Sequence, residues 1–359
     1  VTPSRQAAQR GSAQPGRRRL DTSVPADYDV PTRQPRLESP TTARYAFAAT
    51  FLAWVAGVAV AGTAVVAVPH PAWIERWGAA LLLVVFSIGL THRGGGHMRI
   101  WTVAAGVLAL SAVVTELNLL VAGAAAVSAI LASVWAVVIT RPARSAIGAL
   151  KEFVLALAVA LSGTLAVAAW NAPVAYQRFN LVVLAAALTL AIAFVWNLGA
   201  GLHGLGKQNI AIIAAVAAVL LVLLAYSSFV RTHGSETVVE GITNFVIWMR
   251  ETVGGVPRPV EVFIGFPALI VGVSLRSKRR DGWWVLVFAV LGTGVLTTSL
   301  VSPGAYPSYI ALSTVYSVVL GVVVGLVARY VAMRQRGSRA SRSLEPTSRS
   351  EPGRLAPLK

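Results

Sequence analysis

From Gly282 to Ala328 the chain carries no charged side chain, and from Ile100 to Thr140 it carries one, Glu116. Each run far exceeds the roughly 20 residues a helix needs to cross about 30 Å of hydrocarbon. Each run must therefore turn back on itself. Turn chemistry stands where that requires it: TELN at 115–118 reads as a tight hairpin, and SPGAYPSY at 302–309 supplies Pro303, Gly304 and Pro307.

Reading from charge to charge gives ten candidate spans, near 45–68, 74–91, 100–115, 118–140, 153–171, 179–198, 209–230, 260–275, 282–301 and 309–328. The predicted fold class is all-α, a polytopic integral membrane bundle of about ten transmembrane helices with both termini cytoplasmic. Apolar residues make up 56% of the chain and charged ones 13%, although both ends are charged. A middle of that kind excludes an ordinary soluble core. Three segments follow: a disordered basic tail at 1–44, a transmembrane domain at 45–330 and a second disordered basic tail at 331–359. The first tail does not read as a signal peptide, because it has no apolar stretch and Asp21, Asp27, Asp29 and Glu38 interrupt it. Neither 1–40 nor 338–359 has the periodicity needed to pack, so both are expected to be dispensable for folding. The absence of cysteine excludes disulfides, thiolate metal sites and cysteine nucleophiles. Usage rich in Ala, Val and Arg fits a high-GC bacterium, with the plasma membrane as the expected location.

Orientation comes from the basic residues. With a cytoplasmic N-terminus, only Arg76, Arg178, Arg231, Arg250 and Arg258 of the 31 Lys and Arg fall outside. That is a strong positive-inside asymmetry. The net charge of +17 is thus mainly a topology signal, and neither tail has the aromatic-interleaved basic pattern of a nucleic-acid binder. The lipid bilayer is the expected partner.

Several motifs have plain readings. NLGAGLHGLGKQ at 197–208 contains GxGxxG (Gly199, Gly201, Gly204) but joins two membrane spans, so no strand–helix unit can use it for a nucleotide. No cofactor and no metal cluster is expected. Gly321 and Gly325, like Ala53, Gly57 and Ala61, are small residues at helical spacing, which permits close packing inside the bundle or between copies. In 236–252 the residues Val238, Val239, Ile242, Phe245, Val246 and Met249 form one apolar stripe, predicting an amphipathic helix in the outer interface, as lid or connector.

Ionisable groups near membrane depth are candidate functional residues because burying them is costly. Glu261 and Arg258, one helical turn apart in GVPRPVEVFIGFPALIVG, lead the set, with Glu116, Arg178 and Asn171 on the same side. They are the candidate external polar cleft. Alternatively, Glu261 only complements the positive end of a helix entered through Pro257 and Pro259. Pro267 is expected to kink this span and open space beside it.

RPVEVFIGFPALIVG, followed by a basic loop, an apolar span, a polar turn and a last helix, resembles the C-terminal membrane part of an uncharacterised bacterial multi-pass family. The likeness covers roughly residues 231–330. That family is associated with envelope-polysaccharide genes, including polysaccharide pyruvyl transferases, although its His-containing motif is absent from SPGAYPSY. The resemblance implies cell-envelope glycan work, with a lipid-linked saccharide or envelope-biosynthesis proteins as partners. Three functions stand open: a transporter or flippase-like protein or its accessory, a membrane enzyme acting on a lipid-linked sugar at the outer face, and a scaffold recruiting partners through its tails. No HExxH or GxSxG motif supports the enzyme.

Overall fold

The computed structural model describes residues 40–66, 71–198, 236–277, 282–301, 306–340, 351–354 and 356–358. From Arg44 onward they belong to one compact unit. All regular structure among them is helical: α1 (Pro40–Gly62), α2 (Ala72–Gly94), α3 (Met98–Thr115), α4 (Asn118–Val138), α5 (Ala146–Trp170), α6 (Tyr176–Asn197), α7 (Glu236–Val253), α8 (Phe266–Arg276), α9 (Gly282–Thr297) and α10 (Pro307–Ala340). Eight helices among the described residues are long and apolar enough to cross a membrane. The expected span at 209–230, the Gly-rich loop from 199 and the turn at 302–305 lie outside the described residues.

TELN is the tight hairpin expected: α3 ends at Thr115, Glu116 takes left-handed backbone (φ 52°), and α4 begins at Asn118. At the other face Gly95 (φ 69°) closes α2 before HMR starts α3. A side chain there would be strained, so glycine suits this short return. Ser145 caps α5, its Oγ accepting from the Gly148 N–H at 2.9 Å.

Apolar side chains stay exposed along α3 (Ile100, Trp101, Val103, Val107) and α10 (Val319, Val323, Val327), the surface that lipid would cover. Inside, small residues bring helices close and hydroxyls tie them together. Gly321 meets Phe266, and Gly325 meets Ile270 and Pro267, so the GxxxG of α10 packs within the bundle against α8. Gly57 of α1 likewise packs on Leu82 of α2. Thr293 donates to the Ser133 carbonyl (3.0 Å), Thr164 to the Leu296 carbonyl (2.9 Å), and Trp170 Nε1 to Ser128 Oγ (3.0 Å). Buried hydroxyls at these three contacts thus join one helix to another.

Two expectations change. The span at 260–275 is not one α-helix: Glu261–Gly265 form a π turn, and Phe266–Arg276 continue as α8. Pro267 has no N–H for the carbonyl four residues back, and its ring would crowd that carbonyl. A widened turn immediately before it, with the Phe266 N–H reaching the Glu261 carbonyl, relieves both problems.

The reading of 331–359 as an unpacked tail also differs from what is seen. Helix α10 continues to Ala340, and residues 351–354 and 356–358 dock on the end of the bundle. Arg93 Nη1 donates to the carbonyls of Gly353 (2.5 Å) and Ala356 (2.7 Å), and the Leu358 N–H returns a bond to the Arg93 carbonyl (3.0 Å). Periodicity could not show this, because the segment packs through carbonyls, one apolar side chain and ion pairs without forming a helix. Leu358 rests on the core.

Candidate functional site

The π turn decides where Glu261 points. Pro257 and Pro259 lead the chain into it, and the Arg258 carbonyl accepts from the N–H groups of both Glu261 and Val262 at 3.0 Å. Gly265 lies so close to Gly292 of α9 that a Cβ on either would overlap the other's backbone. That contact leaves the Glu261 side chain facing α10, where it is fully buried, at 0% exposure.

Arg258 reaches over the same helix. Its Nη1 pairs with Glu261 Oε1, and its Nη2 donates to Thr314 Oγ1 at 2.9 Å. Its backbone N–H donates to Ser317 Oγ at 2.8 Å, and the Val256 N–H to Ser313 Oγ at 3.0 Å. Three hydroxyls of α10 thus hold the backbone and guanidinium of the incoming segment, while the buried Glu261 carboxylate has the Ser317 hydroxyl beside it and no well-formed hydrogen bond at Oε2 among the described residues. A buried carboxylate is tolerated when paired and bonded, and leaving one oxygen unmet is costly. The arrangement can accept a proton or a hydroxyl donor at Oε2, and its arginine fork can take an oxyanion.

The other predicted cleft residues are not part of this group. Glu116 pairs with Arg76 of α2 at 2.8 Å and is 63% exposed. Asn171 ends α5 in left-handed backbone (φ 46°), and Arg178 lies exposed in the first turn of α6. No hydrogen bond or ion pair among the described residues joins any of them to Glu261. Sequence reading missed Ser313, Thr314 and Ser317. Their signal was three hydroxyls at i, i+1 and i+4 in an apolar span, which is also the pattern of ordinary helix glue.

Helix α7 forms over the predicted 236–252 segment, and Phe245, Ile247 and Trp248 remain exposed on it. Its end is tied to α10: Tyr316 Oη donates to the Val253 carbonyl at 2.9 Å, and the Arg250 guanidinium lies 5.1 Å from the Tyr309 ring centroid. The space expected beside Pro267 is an open apolar groove lined by Phe263, Ile264, Pro267, Ala268, Val271 and Phe288. Among the described residues no group of three His, Asp or Glu could hold a metal ion.

A bundle of long apolar helices with an ion pair buried at a break in one of them is the architecture of a multi-pass membrane protein. Comparison with protein-family models, curated proteins and solved structures gives no match for the chain.

Proposed function

We propose that this chain is a transporter or flippase-like protein of a bacterial plasma membrane, or an accessory to one, handling a cell-envelope glycan or lipid-linked precursor. Arg258 and Glu261 are its polar substrate site. The observation that carries this reading is the Arg258–Glu261 ion pair, its carboxylate fully buried inside the bundle at a π turn. A charge kept in such a place costs stability that architecture alone does not require. π turns recur at functional sites, and transporters place substrate at interrupted helices. The resemblance of residues 231–330 supplies the envelope-glycan class.

With both termini in the cytoplasm, this site lies toward the outer face. Because the chain has no cysteine, single substitutions report that orientation. Ser277 is buried and bonded to the Ser274 carbonyl, so it would resist labelling on either side. The exposed His97 and Leu117 are better probes. Leu117→Cys is expected to react with an impermeant thiol reagent on intact cells and His97→Cys to react only after permeabilisation. The reverse pattern overturns the orientation.

The function is tested by complementation of the envelope phenotype of a deletion strain at matched membrane abundance. Glu261→Gln, in which the amide keeps the shape and loses the charge, and Arg258→Gln, which removes the charged fork, are each expected to abolish complementation. Glu116→Gln breaks an exposed pair of the kind worth about 0–1 kcal/mol, so it should complement fully. Full activity of Glu261→Gln would return Glu261 to the role of helix-end architecture.

A further inference from the structure

At the opposite end of the same span, about 15 residues and so roughly 22 Å along the helix from Glu261, a second charged cluster joins parts of the chain far apart in sequence. Arg276, at the end of α8, has its guanidinium stacked 3.8 Å from the Trp283 ring centroid. Its Nη1 donates to Thr140 Oγ1 and its Nη2 to the Thr140 carbonyl, both at 3.1 Å. The remaining edge of the fork, Nε and Nη2, receives the Glu351 carboxylate. Beside it, Arg354 pairs with Glu152 of α5, whose other oxygen accepts from the Arg141 N–H at 2.9 Å.

The cluster is not balanced. Arg93, Arg141, Arg276 and Arg354 stand around two carboxylates, Glu152 and Glu351, among the described residues. Arg93 is 2% exposed, yet its Nε and Nη2 have no hydrogen-bond partner among the described residues, and neither does Arg354 Nε. Unmet guanidinium donors in a buried, cation-rich place call for an anion. A carboxylate seated across Nε and Nη2 of an arginine also has the geometry that phosphate oxygens adopt on the same fork.

We propose that Arg93 and Arg276, the latter held in place by Thr140, form a binding site for a phosphate-class anion on the basic face of the bundle, and that Glu351 occupies it as a tethered surrogate. The segment 351–358 is then a displaceable cover. Its place on the same chain keeps its local concentration high and sets the threshold an incoming anion must exceed. A phosphate has two possible sources here: an anionic lipid headgroup at the interface, or a soluble phosphate compound. Because it lies at the other end of the helix, the site does not depend on the substrate reading of Arg258 and Glu261.

The test uses the full chain in detergent without phosphate, with Pro357→Cys carrying a fluorescent label; Pro357 is exposed and no native cysteine competes. One arm adds inorganic phosphate. The other reconstitutes the protein in phosphatidylcholine vesicles with or without phosphatidic acid. Anion binding is expected to free the label and to raise the thermal midpoint. Glu351→Gln removes the surrogate's charge, so the half-saturating anion concentration should fall about tenfold or more, the scale of one charged hydrogen-bond pair. Arg93→Gln should lose the response. A response to inorganic phosphate identifies a soluble ligand class, and a response confined to phosphatidic acid identifies the headgroup; either supports the site. If neither arm moves label or midpoint in the parent chain or in Glu351→Gln, the proposal is overturned, whether or not Arg93→Gln folds.

Discussion

Replacing Arg258 by Met, with Glu261 left in place, is expected to destabilise the detergent-solubilised protein by about 3–5 kcal/mol, the usual cost of stranding one member of a buried ion pair. Glu261 has no exposure, and Arg258 is its ion-pair partner. The double variant Arg258→Met/Glu261→Gln should regain most of the loss, because it removes the stranded charge along with its partner. Thermal midpoints of the parent, both single variants and the double variant give the coupling directly. An Arg258→Met protein that melts with the parent would show that Glu261 needs no partner, and the ion pair would then have no part in holding the site.

Removing residues 351–359 is the second large effect. The segment is not the inert tail that its composition suggests. In buffer free of phosphate, its deletion should cost roughly 3 kcal/mol or more, because Arg276 is fully buried and loses the carboxylate on its fork. Arg93 simultaneously loses two carbonyl acceptors and Glu152 loses Arg354. Glu351→Gln should show a large part of the same loss. Pro352→Ala, at an exposed position, should show almost none. A deletion that melts with the parent would mean that the docked segment adds nothing to folding.

The membrane class, the TELN hairpin, the placement of α2 through α6, and the helix at 236–253 were all legible in the sequence. Each follows from a rule that acts over one or two turns: an apolar run of bilayer length, a left-handed residue between two helices, or a stripe at helical spacing. Arg258 and Glu261 were also legible as a pair, since one helical turn separates them and Pro257 and Pro259 direct the chain into it.

What completes each charged group was not legible. Ser313, Thr314 and Ser317 lie more than 50 residues from Arg258, and their hydroxyls look like any others in an apolar span. Glu116 and Arg178 had the same local credentials as Glu261, but their neighbours in space left them exposed. Arg93 and Arg276 read from sequence as topology charges belonging to basic loops, and Glu351 as part of a solvated tail. Only the close packing of α2, α5, α8 and the 351–358 segment turns them into a buried cluster. Local propensity and hydropathy decide which segments become helices and which of them can cross a bilayer, because those energies depend on neighbours within a few residues. Which charge is desolvated, and by what it is met, depends on contacts between distant segments, and the tertiary structure alone decides that.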